Sequence, residues 1–257
     1  MRVAVAVATL WVSSDSPRVV DGLAVRDDPD VEGWLAELDR HEEDDESGGG
    51  RRGLHGRVHT QLTAGEPVLV LGANDAYPGW ASVVCPWQPS SLDPRGYPGW
   101  LRSSHLVEDA WDVDQPSADP SLPQRLNSDG RADLALARRH LGLPYLWGGT
   151  SAYGLDCSGL VHLVHRELGR VLPRDAHDQH AACQPVPVDE AEAGDLYFFA
   201  RPDRPAHHVG MVTAPGRMLH AAEGRCVVEE DLTADRLATL TAAGRPGGRS
   251  ALTKETR

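Results

Sequence analysis

The chain is short of positive charge, of cysteine and of long apolar runs. Its 25 Lys and Arg stand against 38 Asp and Glu, a formal net charge of −13. That balance argues against a nucleic-acid partner, which rewards basic patches. No stretch approaches the ~20 apolar residues of a membrane span, so no membrane partner is expected either. The four cysteines are unclustered and suit a reducing compartment. His177 and His180 form a pair, but no cysteine or carboxylate cluster completes a recognisable zinc spacing, and no metal or cofactor is expected. The apolar run Val3–Val12 follows a single Arg, contains Trp11 and leads into Ser-Ser-Asp-Ser-Pro without a small-residue cleavage site. It reads as a first strand, which makes the protein cytoplasmic; it would be secreted if residues 1–12 acted as a signal.

What is present concentrates around one thiol. Residues 156–160 read Asp-Cys-Ser-Gly-Leu, after a Trp-Gly-Gly turn. Leu160, Val161, Val164 and Leu168 have helical spacing and Gly169 is a natural stop, so Cys157 opens a helix. There the positive end of the backbone dipole is expected to lower the thiol pKa. Cys85, Cys183 and Cys226 read as small buried hydrophobes.

A base lies downstream. Residues 208–213 and 218–222 flank Ala214-Pro215-Gly216-Arg217 and predict a hairpin. Pairing Val212 with Gly216 sets His208 opposite His220, with Cβ atoms about 5 Å apart. The arrangement is nucleophile Cys157, base His208 and orienting His220. His207, the neighbour, lacks that register.

At this point the chain resembles a known family, the NlpC-type papain-like cysteine peptidases of bacterial cell-wall peptides. The matching residues are Pro144-Tyr145-Leu146-Trp147-Gly148-Gly149, Asp156 to Val161, Ala193 to Phe199, His208 to Val212, and Met218 to Ala221. They occur in family order over about residues 125–232. The resemblance implies an α+β fold, with helices packed on an antiparallel sheet. It implies Cys157, His208 and His220 as the catalytic set, Tyr145 near the oxyanion site, and Ser158 beside the nucleophile as a further contact. Tyr145 reads equally well as a core aromatic.

Leu172 to Gln179 looks like the matching segment of γ-D-glutamyl-L-diamino-acid endopeptidases, which cut peptides beginning with a free L-Ala. A free amine needs a carboxylate partner. Asp156 fits, with N-capping as its other role. Asp175 is a second candidate, or a loop or cap residue.

The front of the chain reads as all-β. Residues 1–110 are expected to form an SH3-like barrel with an acidic insertion at about 26–53, where Val31, Trp34, Leu35 and Leu38 suggest a short amphipathic helix. Eleven acidic residues between 26 and 46 read as a solubility feature. Strand-like runs fall at 66–72, 80–85 and 100–106, and Tyr-Pro-Gly-Trp occurs at 77–80 and again at 97–100. By resemblance Glu66 and Tyr97 are substrate contacts, or else a surface carboxylate and an interface tyrosine. A Pro-rich linker spans 111–127, the peptidase domain 128–240, and a polar tail 241–257. Ser128 or Asp129 would cap the helix carrying Leu134, Ala137 and Leu141.

Together these features imply a cysteine peptidase that cleaves the γ-D-glutamyl–diamino-acid bond of murein-derived peptides and recycles wall fragments. The alternatives are an exported wall hydrolase, an amidase or an acyltransferase on the same fold, or a non-catalytic module that binds wall peptides. The sequence indicates neither the diamino acid nor the oligomeric state.

Overall fold

The computed structural model describes residues 1–41, 49–73, 77–108 and 131–247. The expected linker, the candidate caps Ser128 and Asp129, most of the acidic loop and the last ten residues lie outside that range. The chain divides into two units. The first holds the described residues of 1–87, 92–108 and Leu146–Leu155; the second holds 88–91, 131–145 and 156–247. The Trp-Gly-Gly turn just before Cys157 therefore belongs by its contacts to the front unit. Trp147 Nε1 donates to Val58 O at 3.0 Å, and Thr150 Oγ1 donates to Gln61 O at 2.8 Å.

The front unit is built on antiparallel strands. They are β1 (Arg2–Val3), β2 (Val7–Trp11), β3 (Val58–Thr63), β4 (Leu69–Ala73), β5 (Trp80–Cys85), β6 (Tyr97–Arg102), β7 (Leu106–Val107), β8 (Thr150–Ser151) and β9 (Gly154–Leu155). Five form one sheet in the order β3-β2-β6-β5-β4. The run expected as one strand over Val3–Val12 is two strands, and β3 was not singled out from the sequence. The Tyr-Pro-Gly-Trp copies flank one pairing: the second opens β6, and Trp80 at the end of the first lies opposite Arg102. One cluster buries Ala8, Leu10, Leu62, Val83 and Leu101. A second gathers Trp11, Leu54, Val58 and Trp80 around α1 (Val31–Arg40). Val31, Trp34, Leu35 and Leu38 recur at 3, 4 and 7 residues, so one stripe of α1 faces that core. The acidic block is thus more than a solubility feature, because its helix completes a hydrophobic cluster.

The second unit packs helices on a six-stranded antiparallel sheet, the α+β architecture expected. Its helices are α2 (Ala132–Arg138), α3 (Cys157–Glu167), α4 (Ala176–Ala182) and α5 (Ala234–Thr239). Its strands are β10 (Gln184–Val186), β11 (Leu196–Phe199), β12 (His208–Ala214), β13 (Arg217–Ala221), β14 (Val227–Asp231) and β15 (Leu240–Arg245), in the order β10-β15-β11-β12-β13-β14. Strand β15 corrects the expected tail: residues 240–245 pair with both β10 and β11. Arg131, not a capping side chain, precedes α2. Helix α3 packs on β12 and β13. It ends as a Schellman motif around Gly169, at φ 72°: Gly169 N–H bonds Arg166 O and Arg170 N–H bonds His165 O.

Helix α3 is buried on more than one face. Leu160, Val161 and Val164 are buried, and so are His162 and His165. Neither ring nitrogen of His165 has a partner among the described residues. Burial lowers His165 to about 4 and holds His162 well below its ordinary value. A histidine kept neutral by the fold gains its proton first in the unfolded chain, at about 6.5. Stability is therefore intact above that pH and is lost as pH falls toward 4. Urea midpoints at pH 7.5 and 5.0 should show this drop. His165→Met fills a similar volume without orphaned nitrogens, so it should be neutral or stabilising at pH 7.5 and flatten the drop. A steeper pH dependence in that variant would contradict the assignment.

Candidate active site

The site is built around the start of α3. Asp156 is its N-cap and accepts from Gly159 N–H at 2.6 Å. Arg174, only 1% exposed, clamps the same carboxylate with Nη1 to Oδ1 at 3.0 Å and Nη2 to Oδ2 at 2.6 Å. Nη1 also donates to Ser158 Oγ at 3.0 Å. Gln179 Nε2 ties Ser158 O to Pro173 O, both at 2.9 Å. Asp156 therefore caps the helix and shares its charge with Arg174. As a partner for a substrate amine it would act within that pair.

The Cys157 thiol is buried, and its sulfur takes backbone hydrogen bonds from Val209 and Ser158. Its pKa is pushed up to about 12, first by burial and then by the Asp156 carboxylate. This is opposite to the expected lowering: at this helix start burial is the largest influence on the thiol. Tyr145 lies in the same neighbourhood. Burial raises its phenol pKa, and the nearby Cys157 and Asp156 raise it further.

His208, buried at the head of β12, directly precedes the residue whose N–H meets the sulfur. Its Nε2 lies 2.9 Å from Nδ1 of the fully buried His220. The rings meet edge to face with centroids 5.0 Å apart. The hairpin register differs from the expected one by two residues: Val212 pairs with Met218, and Met211 with Leu219. Gly210, not His208, thus faces His220, and a Cβ there would come within 3.3 Å of the His220 Cβ. A shift of two preserves the face, so the imidazoles meet diagonally. His207 is exposed. Burial holds His208 well below its ordinary pKa, with Arg236, His220 and His207 adding to it, and lowers His220 as well.

Glu230 on β14 was missed by the sequence reading. Its Oε1 lies 3.1 Å from His220 Nε2, and Arg225 Nη1 reaches its two oxygens at 3.3 and 3.0 Å. Glu229-Glu230-Asp231 looks like an exposed acidic edge in one dimension; only the pairing of β13 with β14 reveals the contact.

The remaining candidates lie on other elements. Asp175 precedes α4 without a capping bond from its side chain. With His177 and Asp178 it offers ligand atoms within 4.8 Å of one another, the one such group among the described residues. Asp178 already accepts from Ser91 N–H at 2.8 Å, and an acidic cluster alone assigns no ion. Glu66 and Tyr97 belong to the front unit. Glu66 is buried and accepts from Thr63 N–H and Oγ1, both at 2.9 Å, closing a turn. Tyr97 is buried beside His59, ring centroids 5.1 Å apart. A thiol, two coupled imidazoles and a helix N-terminus within one unit can form an acyl-enzyme and hydrolyse it.

Comparison with known proteins agrees with this chemistry. The model of the NlpC/P60 family matches residues 142–242. The γ-D-glutamyl-L-lysine dipeptidyl-peptidase of Bacillus subtilis (strain 168) is 32% identical, over 84% of this chain and 88% of its own. Its namesake from Bacillus cereus (strain ATCC 10987 / NRS 248) is 26% identical, over 88% and 84%. The crystal structure of an NlpC/P60 family protein from Bacillus cereus ATCC 10987 superposes with a TM-score of 0.78 at 24% identity, covering 95% of this chain and 98% of the other; that match speaks for the fold.

Removing one member of a buried ion pair strands the other charge, at a cost of roughly 3–5 kcal/mol. Arg174→Ala should lower the urea stability of the protein by about that much and displace the start of α3. A loss below about 1 kcal/mol would mean that the pair is solvated.

Proposed function

Since the chain belongs to the NlpC/P60 family of cysteine-type peptidases, we propose that it hydrolyses the γ-D-glutamyl–L-diamino-acid bond of murein-derived peptides carrying a free N-terminal L-Ala. The observation that carries the reading is the coupling of His208 to His220 at 2.9 Å, next to the residue whose N–H bonds the Cys157 sulfur. The names of the two Bacillus relatives support the bond chosen. Release of a dipeptide from a peptide's front end also explains why a free amine would be recognised.

In this reading Cys157 Sγ attacks the γ-carbonyl carbon while its proton passes to His208. The C–S bond forms and the carbonyl becomes an oxyanion, stabilised by the Tyr145 hydroxyl and the backbone N–H groups at the helix start. The tetrahedral centre collapses, and His208 returns the proton to the leaving amine. Water, deprotonated by His208, then attacks the thioester and frees the dipeptide and the thiol. The reaction consumes a wall fragment that already has a free amine, which suits recycling. Four unpaired cysteines support a cytoplasmic setting.

Mass spectrometry of L-Ala-γ-D-Glu-L-Lys, its diaminopimelate counterpart and their N-acetylated copies should show cleavage of the free-amine peptides alone. Equal turnover of acetylated and free forms removes the amine requirement. Cys157→Ala should fall at least about 10³-fold. The base must be neutral, so kcat/KM should fall as pH drops through the lowered pKa of His208 and hold its plateau at and somewhat below pH 6.5. An acid limb centred above 6.5 would contradict the assignment of His208 as base.

A further inference from the structure

We infer that Glu230 is a positioning residue of this site, and that its carboxylate, clamped by Arg225, fixes the tautomers of both imidazoles so that Nδ1 of His208 is the basic nitrogen. The inference rests on the reading of Cys157, His208 and His220 as the catalytic set.

The argument is one of donors and acceptors. A carboxylate only accepts, and Arg225 only donates. Arg225 Nη1 reaches Glu230 Oε1 at 3.3 Å and Oε2 at 3.0 Å, so Glu230 is held ionised and oriented. The group facing Glu230 Oε1 at 3.1 Å, His220 Nε2, must carry a hydrogen. A neutral imidazole has one N–H, so His220 Nδ1 is bare. It is 2.9 Å from His208 Nε2, which must then donate. His208 in turn keeps a lone pair at Nδ1, the only nitrogen left to take the thiol proton. The opposite set of tautomers would aim a lone pair of His220 at a carboxylate and leave His208 without a base.

Strand geometry explains the contact. In the β13–β14 pairing His220 lies opposite Val228 and Met218 opposite Glu230, so Glu230 is the diagonal neighbour of His220 on the same face. A turn closed by Arg225 N–H to Ala222 O, with Gly224 at φ 72°, brings Arg225 back over Glu230. The other charged groups acting on the two imidazoles are Arg236 on α5 and His207, just before β12. Neither is placed by a hydrogen bond to set a tautomer.

Glu230→Gln is nearly isosteric and reverses the logic. Arg225 takes the amide oxygen, and the NH2 turns to His220 Nε2 as a donor. The expected result is a fall in kcat of about 10- to 100-fold with KM changed by less than about threefold. Glu230→Asp should restore part of the rate. The direct readout is 15N NMR of the ring nitrogens in full-length Cys157→Ala protein, which does not turn over. With Glu230 intact, both rings should carry hydrogen on Nε2 alone; with Gln at 230, His220 should carry it on Nδ1. Finding His220 protonated on Nδ1 in the presence of Glu230 overturns the inference, whether or not any Glu230 variant folds. So does Glu230→Gln with full kcat and unchanged ring signals. Full turnover by Cys157→Ala would instead strike the catalytic reading, so the two failures are separable.

Discussion

The start of helix α3 depends on one buried ion pair, and the position of the sulfur depends on that start. Asp156 accepts from Gly159 N–H and from both terminal nitrogens of Arg174, while Ser158 is held from its hydroxyl by Arg174 and from its carbonyl by Gln179. Each donor fixes a different atom of residues 156–159, so the first turn has little freedom to wind or unwind. Cys157 sits inside that turn. A carboxylate at a helix N-terminus is favoured by the macrodipole, yet the same charge opposes a thiolate one residue away. Arg174 reconciles the two: it balances the Asp156 charge and acts in the opposite sense on Cys157.

Burial then decides the resting state. The thiol is driven up and His208 down, so burial favours the neutral form of each. Separating charge there costs desolvation twice, and Arg236 opposes an imidazolium at His208. Three features lower that cost when the proton moves. In the proposed transfer from Cys157 to His208 the two new charges would attract each other in a medium of low dielectric. The Val209 and Ser158 N–H groups already point at the sulfur. His220 passes part of the positive charge toward Glu230. In the proposed mechanism, thiolate formation would accordingly be coupled to attack instead of preceding it.

Local patterns were legible in the sequence where local physics set them. The α3 helix, its Gly169 stop and the amphipathic stripe of α1 follow from spacing alone. His208 and His220 could be grouped because a hairpin keeps alternate residues on one face, even though the register was misjudged by two. The pKa of Cys157 was misread because the dipole argument is local while desolvation is a property of the packed unit. Glu230 was hidden among acidic neighbours, since its meaning depends on a strand pairing across the next turn. Strand β15 looked like tail because Gly244 and the polar residues after it carry no alternation. Gly244 sits where a Cβ would come within 2.6 Å of the Cys183 Cβ, so close packing, not propensity, selected it.

The register of the β12–β13 hairpin carries more of the chemistry than its length suggests. Pro215 and Gly216, the latter at φ 73°, make the turn, and Ala214 pairs with Arg217 across it. Between Val212 and Ala214 the register shifts, so Thr213 is an extra residue on β12. Without that bulge every residue before it would move by one against β13, and a one-residue slip sends alternate side chains to the opposite face. His208 would leave His220, while Val209 N–H, now bonded to the sulfur, would turn from it. Two slips cancel in face, which is why the misjudged register still brought His208 and His220 together. One slip does not, so the bulge at Thr213 sets the parity on which the contact between His208 and His220 rests.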